Sequence, residues 1–239
     1  MNVAVSCVDV GKVYRKHRLI GHRRVMGVDG LSLEVMDNEI FGLLGLNGSG
    51  KTTTIKLLLG LLHPDSGELR VLGRRVPDWT VNRHIGYLPE SVSFNKRLTG
   101  RELLTFFADV AGGVRRDRLD GVVRFVNLSD AIDRRVGEYS KGMLQRLGLA
   151  QAIVHDPDVL ILDEPSSGLD PIGIKEIRDL IVELKRQGKT VFFSSHLISE
   201  LEKVCDRVGI IHHGRLLRIV SQEEWRTHSL EAIFMQTLG

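Results

Sequence analysis

Apolar and β-branched residues alternate over Val3–Val10, a strand pattern, and Leu31–Val35 and Ile40–Leu44 predict two more strands. Ile40–Leu44 runs straight into a glycine-rich loop. Beyond it Ile55, Leu58, Leu59 and Leu62 fall at i, i+3, i+4 and i+7, one apolar face of a helix. His63–Gly67 predicts a turn, and Leu69–Val71 and Ile85–Leu88 short strands.

The pattern then changes. Thr99 and Glu102 have capping-box spacing ahead of Leu103, Phe106, Phe107 and Val110. Leu119, Val122, Val123 and Val126 mark a second helix, and a third starts near Ser140. This helical block, Phe94–Val154, predicts a lobe inserted into an alternating strand–helix chain. The alternation resumes with Val159–Leu162, an apolar run suited to a strand buried on both faces of a parallel sheet. Ile177, Leu180, Ile181 and Leu184 predict a helix and Thr190–Ser194 a strand. Arg207–His212 and Arg215–Val220 predict a hairpin around Gly214.

Composition adds exclusions. The 239 residues, 42% hydrophobic and 26% charged, are those of a globular chain rather than a disordered or fibrous one. Thirty-three Lys+Arg against 30 Asp+Glu leave a net charge of +3, too balanced to point to nucleic acid. No apolar run approaches the ~18–20 residues of a membrane span, and no secretory leader is expected at the N-terminus. Cys7 and Cys205 lie far apart in no metal-binding pattern, which predicts two buried, reduced thiols. The basic stretch Arg15–Arg24 predicts a solvated turn or hairpin tip, with a contact to anionic lipid or a partner as the alternative.

The chemistry concentrates in three segments. Gly45–Thr52, GLNGSGKT, matches G-x-x-x-x-G-K-[ST] between a predicted strand and a predicted helix. Glycines there let backbone N–H groups converge on a phosphate, and the helix N-terminus adds partial positive charge. Lys51 would neutralise the terminal phosphates and Thr52 would hold Mg²⁺. Val159–Glu164, VLILDE, puts two carboxylates at the carboxyl edge of a parallel strand. Asp163 suits a Mg²⁺ role, and Glu164 the polarisation of an attacking water. Ser140–Arg146, SKGMLQR, opens a helix with Ser and Gly, a second cradle of the anion-binding type.

With these segments the chain closely resembles the nucleotide-binding subunit of an ABC transporter. YSKGM at Tyr139–Met143, followed by Leu144-Gln145-Arg146, is similar to the family signature LSGGQ-x-QR. SGLD at Ser167–Asp170 resembles the D-loop, His196 the switch histidine, and Pro89-Glu90 the Q-loop. Tyr14 sits where the family stacks an aromatic ring on adenine; core packing is the alternative for that ring. Asp170 reads equally as an N-cap ahead of Pro171. The sequence departs from the family at Lys141 and Met143, at Glu90 in place of Gln, and at Leu46 in place of Pro. The first two variants, with the ending Ser229–Phe234, look like ATPase subunits of exporters that pair with a separate membrane protein.

The resemblance implies an α/β fold: a P-loop NTPase (RecA-like) core with an N-terminal antiparallel β subdomain and an inserted α-helical subdomain. It implies one ABC ATPase domain over 1–239, with core segments 1–93 and 155–239 and a helical signature lobe at 94–154. ATP would be bound by Tyr14, Gly45, Asn47, Gly48, Ser49, Gly50, Lys51, Thr52, Thr53, Ser140 and Gly142. Thr52, Asp163 and Glu90 would hold Mg²⁺, Glu164 and His196 would be catalytic, and Asp170 would lie at a dimer contact. The implied partners are a second ATPase subunit, expected to be another copy, and an integral-membrane permease docking near Glu90–Asn95. Export and a peripheral place at the cytoplasmic face of the plasma membrane follow from the same resemblance. A P-loop phosphotransferase would leave YSKGM and SGLD unexplained. A DNA-repair ATPase needs a coiled coil longer than Thr99–Leu128, and a translation ATPase usually carries two cassettes. A non-enzymatic ATP switch is disfavoured by the intact Glu164 and His196.

Overall fold

The computed structural model describes residues 2–17 and 22–239. The chain forms two compact units, Met1–Val81 with Phe192–Gly239, and Asn82–Val191.

The first unit opens with β1 (Val3–His17) and β2 (His22–Met36), which pair antiparallel. Both strands outrun the alternating segments that predict them. The reason is pairing: the backbones stay joined through register shifts on either side of Lys12↔Val28, and then in one register from Val13↔Met26 through Tyr14↔Val25 to His17↔His22. Of the expected tip Arg15–Arg24, residues 15–17 and 22–24 are instead paired strand, Arg15 opposite Arg24 and His17 opposite His22, and residues 18–21 lie outside the described residues. β3 (Ile40–Leu44) is buried throughout and leads into the loop before α1 (Lys51–Leu58). Of the expected apolar face of α1, Ile55 and Leu58 are buried, while Leu59 and Leu62 are half-buried and lie beyond the helix. The helix stops because Gly60 turns into the left-handed region at φ 68°. Leu57 takes up the burial instead. β4 (Ser66–Val71) and β5 (Arg74–Arg75) complete a four-stranded antiparallel sheet in the order β2-β1-β4-β5. The short α2 (Trp79–Asn82) carries the chain out of this unit.

In the second unit β6 (Ile85–Leu88) pairs in parallel with a later strand of the same unit, Val159–Asp163, with Ile85 opposite Val159 and Leu88 opposite Leu162. Between them come α3 (Gly100–Val110), α4 (Arg116–Phe125) and α5 (Lys141–Ile153). The capping box of α3 forms: Glu102 N–H donates to Thr99 Oγ1 at 3.1 Å, and the Glu102 carboxylate accepts from Thr99 N–H at 2.8 Å. Of the four apolar residues after it, only Leu103 is buried, together with Leu104 and Ala108; Phe106 is 59% and Val110 70% exposed. The predicted core residues Leu119, Val122 and Val123 of α4 are buried, as is Val126 just past its end. The later strand is β7 (Val159–Asp163), buried at every position as a two-sided strand must be. α6 (Pro171–Arg186) buries Ile177, Ile181 and Leu184 and leaves Leu180 half-buried.

β8 (Thr190–Ser195) returns the chain to the first unit, where Phe192 stacks on Phe41 of β3 at 5.8 Å between ring centroids. α7 (Ile198–Val204) precedes β9 (Arg207–His212) and β10 (Arg215–Ser221). β9 runs parallel to β3 and antiparallel to β10, giving the local order β10-β9-β3. α8 (Gln222–Thr227) and α9 (Leu230–Leu238) close the chain. Cys7 and Cys205 are buried and form no disulfide. Among the described residues no helix is long and apolar enough to cross a membrane.

Candidate functional site

In the first unit the loop after β3 is shaped by two glycines in the left-handed region, Gly48 at φ 79° and Gly50 at φ 115°. Gly50 is the N-cap of α1 and offers no side chain to its first-turn N–H groups, and no acidic residue lies in that turn. Lys51 is buried, and its Nζ donates to the Gly45 carbonyl at 2.7 Å and to the Leu46 carbonyl at 3.4 Å. Ser49 Oγ is buried with no hydrogen-bond partner among the described residues. Open N–H groups, a buried cation and an orphaned hydroxyl in one turn fit an anionic group of phosphate type. Thr52 is exposed and Thr53 half-buried on the same turn.

Tyr14 lies beside this turn. Its hydroxyl is 3.3 Å from Thr53 Oγ1, and its ring fills the space that a Cβ on Gly27 would need. The ring is half-buried, so packing and an open surface coexist at this residue. His196 follows β8 and is exposed. Its neighbour Ser195 is buried; Ser195 Oγ accepts from Leu197 N–H at 3.0 Å and lies 3.4 Å from Glu200 Oε2 on α7. The segment carrying His196 is thus tied to the first turn of α7.

In the second unit β7 ends at Asp163, with Glu164 next; both side chains are buried. Glu164 sits at φ 47°, a left-handed conformation costing a non-glycine residue roughly 1–2 kcal/mol. Burial and the Asp163 carboxylate together push the Tyr87 phenol on β6 above its ordinary value. Glu90 is exposed just past the end of β6.

Ser140 caps α5, accepting from Met143 N–H at 3.3 Å, as the sequence predicts. The buried Tyr139 before it donates from its hydroxyl to the Ala131 carbonyl at 2.7 Å. A Cβ on Gly142 would meet nothing, so the exposed side of this first turn is open. Lys141, which departs from the family pattern, places Nζ in the space a Cβ on Gly168 would occupy, so the Ser140–Arg146 segment touches the SGLD loop. Asp170 acts as the N-cap of α6, its Oδ1 accepting from Gly173 N–H at 2.7 Å with Pro171 at the first helical position.

Sequence reasoning missed the wall behind the first loop. The Gly214 N–H donates to the Ser49 carbonyl at 2.8 Å, and a Cβ on Gly50 would stand 2.6 Å from the Gly27 carbonyl oxygen. The His213-Gly214 pair between two strands signals a tight turn, but nothing in the sequence says what that turn leans on.

Residues 28–167 match the family described as ABC transporter. The chain is 44% identical over 225 residues to an uncharacterized ABC transporter ATP-binding protein of Nostoc sp., covering 92% of this chain and 67% of that protein. It is 42% identical over 220 residues to the bacitracin transport ATP-binding protein BcrA of Bacillus licheniformis, covering 91% and 69%. The chain therefore spans about two thirds of the length of these relatives. A solved structure titled as the ATP binding subunit of an ABC transporter superposes with a TM-score of 0.84 at 27% identity, covering 99% of this chain and all of that one. The α/β fold is that of the P-loop ATPase cassettes, and the chain belongs to the ABC transporter family as one of its ATP-binding ATPase domains.

Proposed function

We propose that this chain is the motor of an exporter, binding Mg-ATP at Gly45–Thr52 and hydrolysing it with Glu164 and His196. One observation carries the reading: Lys51 is buried across the mouth of a loop whose glycines leave the α1 N-terminus uncapped. Backbone N–H groups of Gly48 to Thr53 would hold the phosphate chain and Asn47 would flank it. Tyr14 would meet the base. Thr52, with Asp163 and Glu90, would hold Mg²⁺, whose charge offsets that building on the phosphates. Glu164 would orient a water and take its proton as the water oxygen bonds the γ-phosphorus. The bond from that phosphorus to the β–γ bridging oxygen breaks, giving ADP and phosphate, while His196 steadies the γ-phosphate.

Ser140 and Gly142 form a second anion cradle in a chain that already has one. This supports a head-to-tail pair of copies in which each ATP lies between one chain's loop and the other's signature, with Asp170 near the contact. The open side of Gly142 suits the approach of another molecule. A permease is supported by the aromatic cluster of Phe94, Phe106 and Phe107, with ring centroids 6.2 Å and 5.4 Å apart and Phe106 largely exposed. Docking there would place the chain at the cytoplasmic face of a membrane. Export is supported by the signature variant, Lys141 with Met143, by Glu90 in the Q-loop, and by the bacitracin transport protein among the relatives. The lobe at 94–154 would then be the part that meets permease and partner copy.

Phosphate release by the purified chain, compared with Glu164→Gln, tests the reading. Wild type should turn over and the variant should lose about 10²–10⁴ in rate while still binding ATP. Equal turnover would remove Glu164 from the chemistry.

A further inference from the structure

The β9–β10 hairpin turns through His213 and Gly214, at φ 47° and 83°, with His212 paired to Arg215 across it. Two consecutive left-handed residues make the tight turn that matches the twist of paired strands. Its tip does not end in solvent. Gly214 N–H donates to the Ser49 carbonyl at 2.8 Å, and the Gly214 carbonyl accepts from Asp29 N–H at 2.8 Å. Asp29 also holds Arg215 through a 2.6 Å contact between its carboxylate and Nε. A Cβ on Gly214 would stand 3.2 Å from both the Gly27 carbonyl oxygen and Val28 Cα, so the fit leaves no slack.

A trans peptide points its C=O and its N–H in opposite directions. The Ser49 carbonyl is turned towards Gly214, so the Gly50 N–H in the same peptide plane is aimed away from the hairpin. The hairpin closes the rear of Gly50, where a Cβ would also lie 3.3 Å from Gly214 Cα and Ile211 Cδ1. We propose that Gly214 is a positioning residue for nucleotide binding: its N–H fixes the Ser49–Gly50 peptide so that the Gly50 N–H faces the phosphate chain, with Asp29 and Arg215 bracing the turn. This inference rests on the reading of Gly45–Thr52 as the phosphate cradle.

The test measures the affinity of the full chain for ATP and for inorganic tripolyphosphate, with folding checked by circular dichroism at the same temperature. Gly214→Ala, which crowds the turn away from Ser49, should weaken both ligands by the same factor, about tenfold for one misaimed donor to a charged group. Arg215→Gln removes the brace without crowding anything and should weaken both less, in the same direction. The KM for ATP should rise in Gly214→Ala while kcat at saturating ATP holds, a split that a mere loss of folded protein would not give. If Gly214→Ala does not fold, Arg215→Gln decides alone. Folded variants that bind tripolyphosphate as wild type does would overturn the proposal. Lys51→Ala separates the two readings: if it binds tripolyphosphate as tightly as wild type, the cradle assignment itself is wrong and the proposal goes with it.

Discussion

Lys51 Nζ donates to the Gly45 carbonyl oxygen at 2.7 Å, so the cation closing the GLNGSGKT motif is folded back over the first residue of that motif. A phosphate entering the loop offers the ammonium a charged acceptor in place of a neutral one, and charged partners roughly double the strength of a hydrogen bond. Lys51→Ala should therefore weaken ATP binding by at least about tenfold. Titration with a fluorescent ATP analogue checks this.

The P-loop was legible because strand, glycine spacing, Lys51 and helix are all local. So were Ser140 and Asp170 as caps, since a cap acts within three residues of itself. What stayed hidden was non-local. The length of β1 and β2 depends on pairing between segments whose charged residues and glycines break the apolar alternation. The outward Phe106 and Val110 share a helix with buried Leu104 and Ala108, and periodicity alone does not say which stripe the neighbours cover. The wall of Gly27 and Gly214 behind the loop is assembled from chain far from it in sequence.

Phe106 is 59% exposed and edge-on to Phe107, so most of its surface already meets solvent. Phe106→Asp should leave the melting temperature and basal ATPase near wild type and abolish co-purification with the membrane subunit. Retained co-purification together with normal transport would move the docking surface elsewhere. Charged replacements of Phe94 or Asn95, on the same route, should behave alike.

The capping box of α3 gives a stability prediction with a sign in pH. Thr99→Ala should cost about 1 kcal/mol at pH 7, a fall of roughly 2–4 °C in Tm for a chain of this size. Hydrogen bonds from the Thr99 backbone and side chain hold the Glu102 carboxyl below its ordinary value of 4.5. A group depressed by folding adds stability above its unfolded value and loses it as pH falls through the folded one. The penalty of Thr99→Ala should thus shrink below about pH 4. Thermal melts of both proteins across pH 3–7 read it.

Burial pushes the Cys7 thiol up from 9.0 to about 12. A thiol raised by folding adds stability below its unfolded value and loses it as pH climbs towards the folded one, so any such loss should appear only above pH 9. At pH 8 the native protein should label at Cys7 only after denaturant is added, because the reactive thiolate is scarce and shielded. Mass spectrometry after timed alkylation shows the order.

One pair of variants tests most directly whether each nucleotide site is built by two copies of this chain. Glu164→Gln, unable to complete hydrolysis, is run on size exclusion with and without Mg-ATP, and again with Gly142→Asp added. Glu164→Gln should become a dimer only with ATP. Adding Gly142→Asp should return it to a monomer that still binds ATP at the same affinity, because the new carboxylate repels the partner's γ-phosphate and not its own. A Gly142→Asp monomer that has lost ATP binding, or an ATP-dependent dimer unaffected by it, would contradict a site shared between two copies.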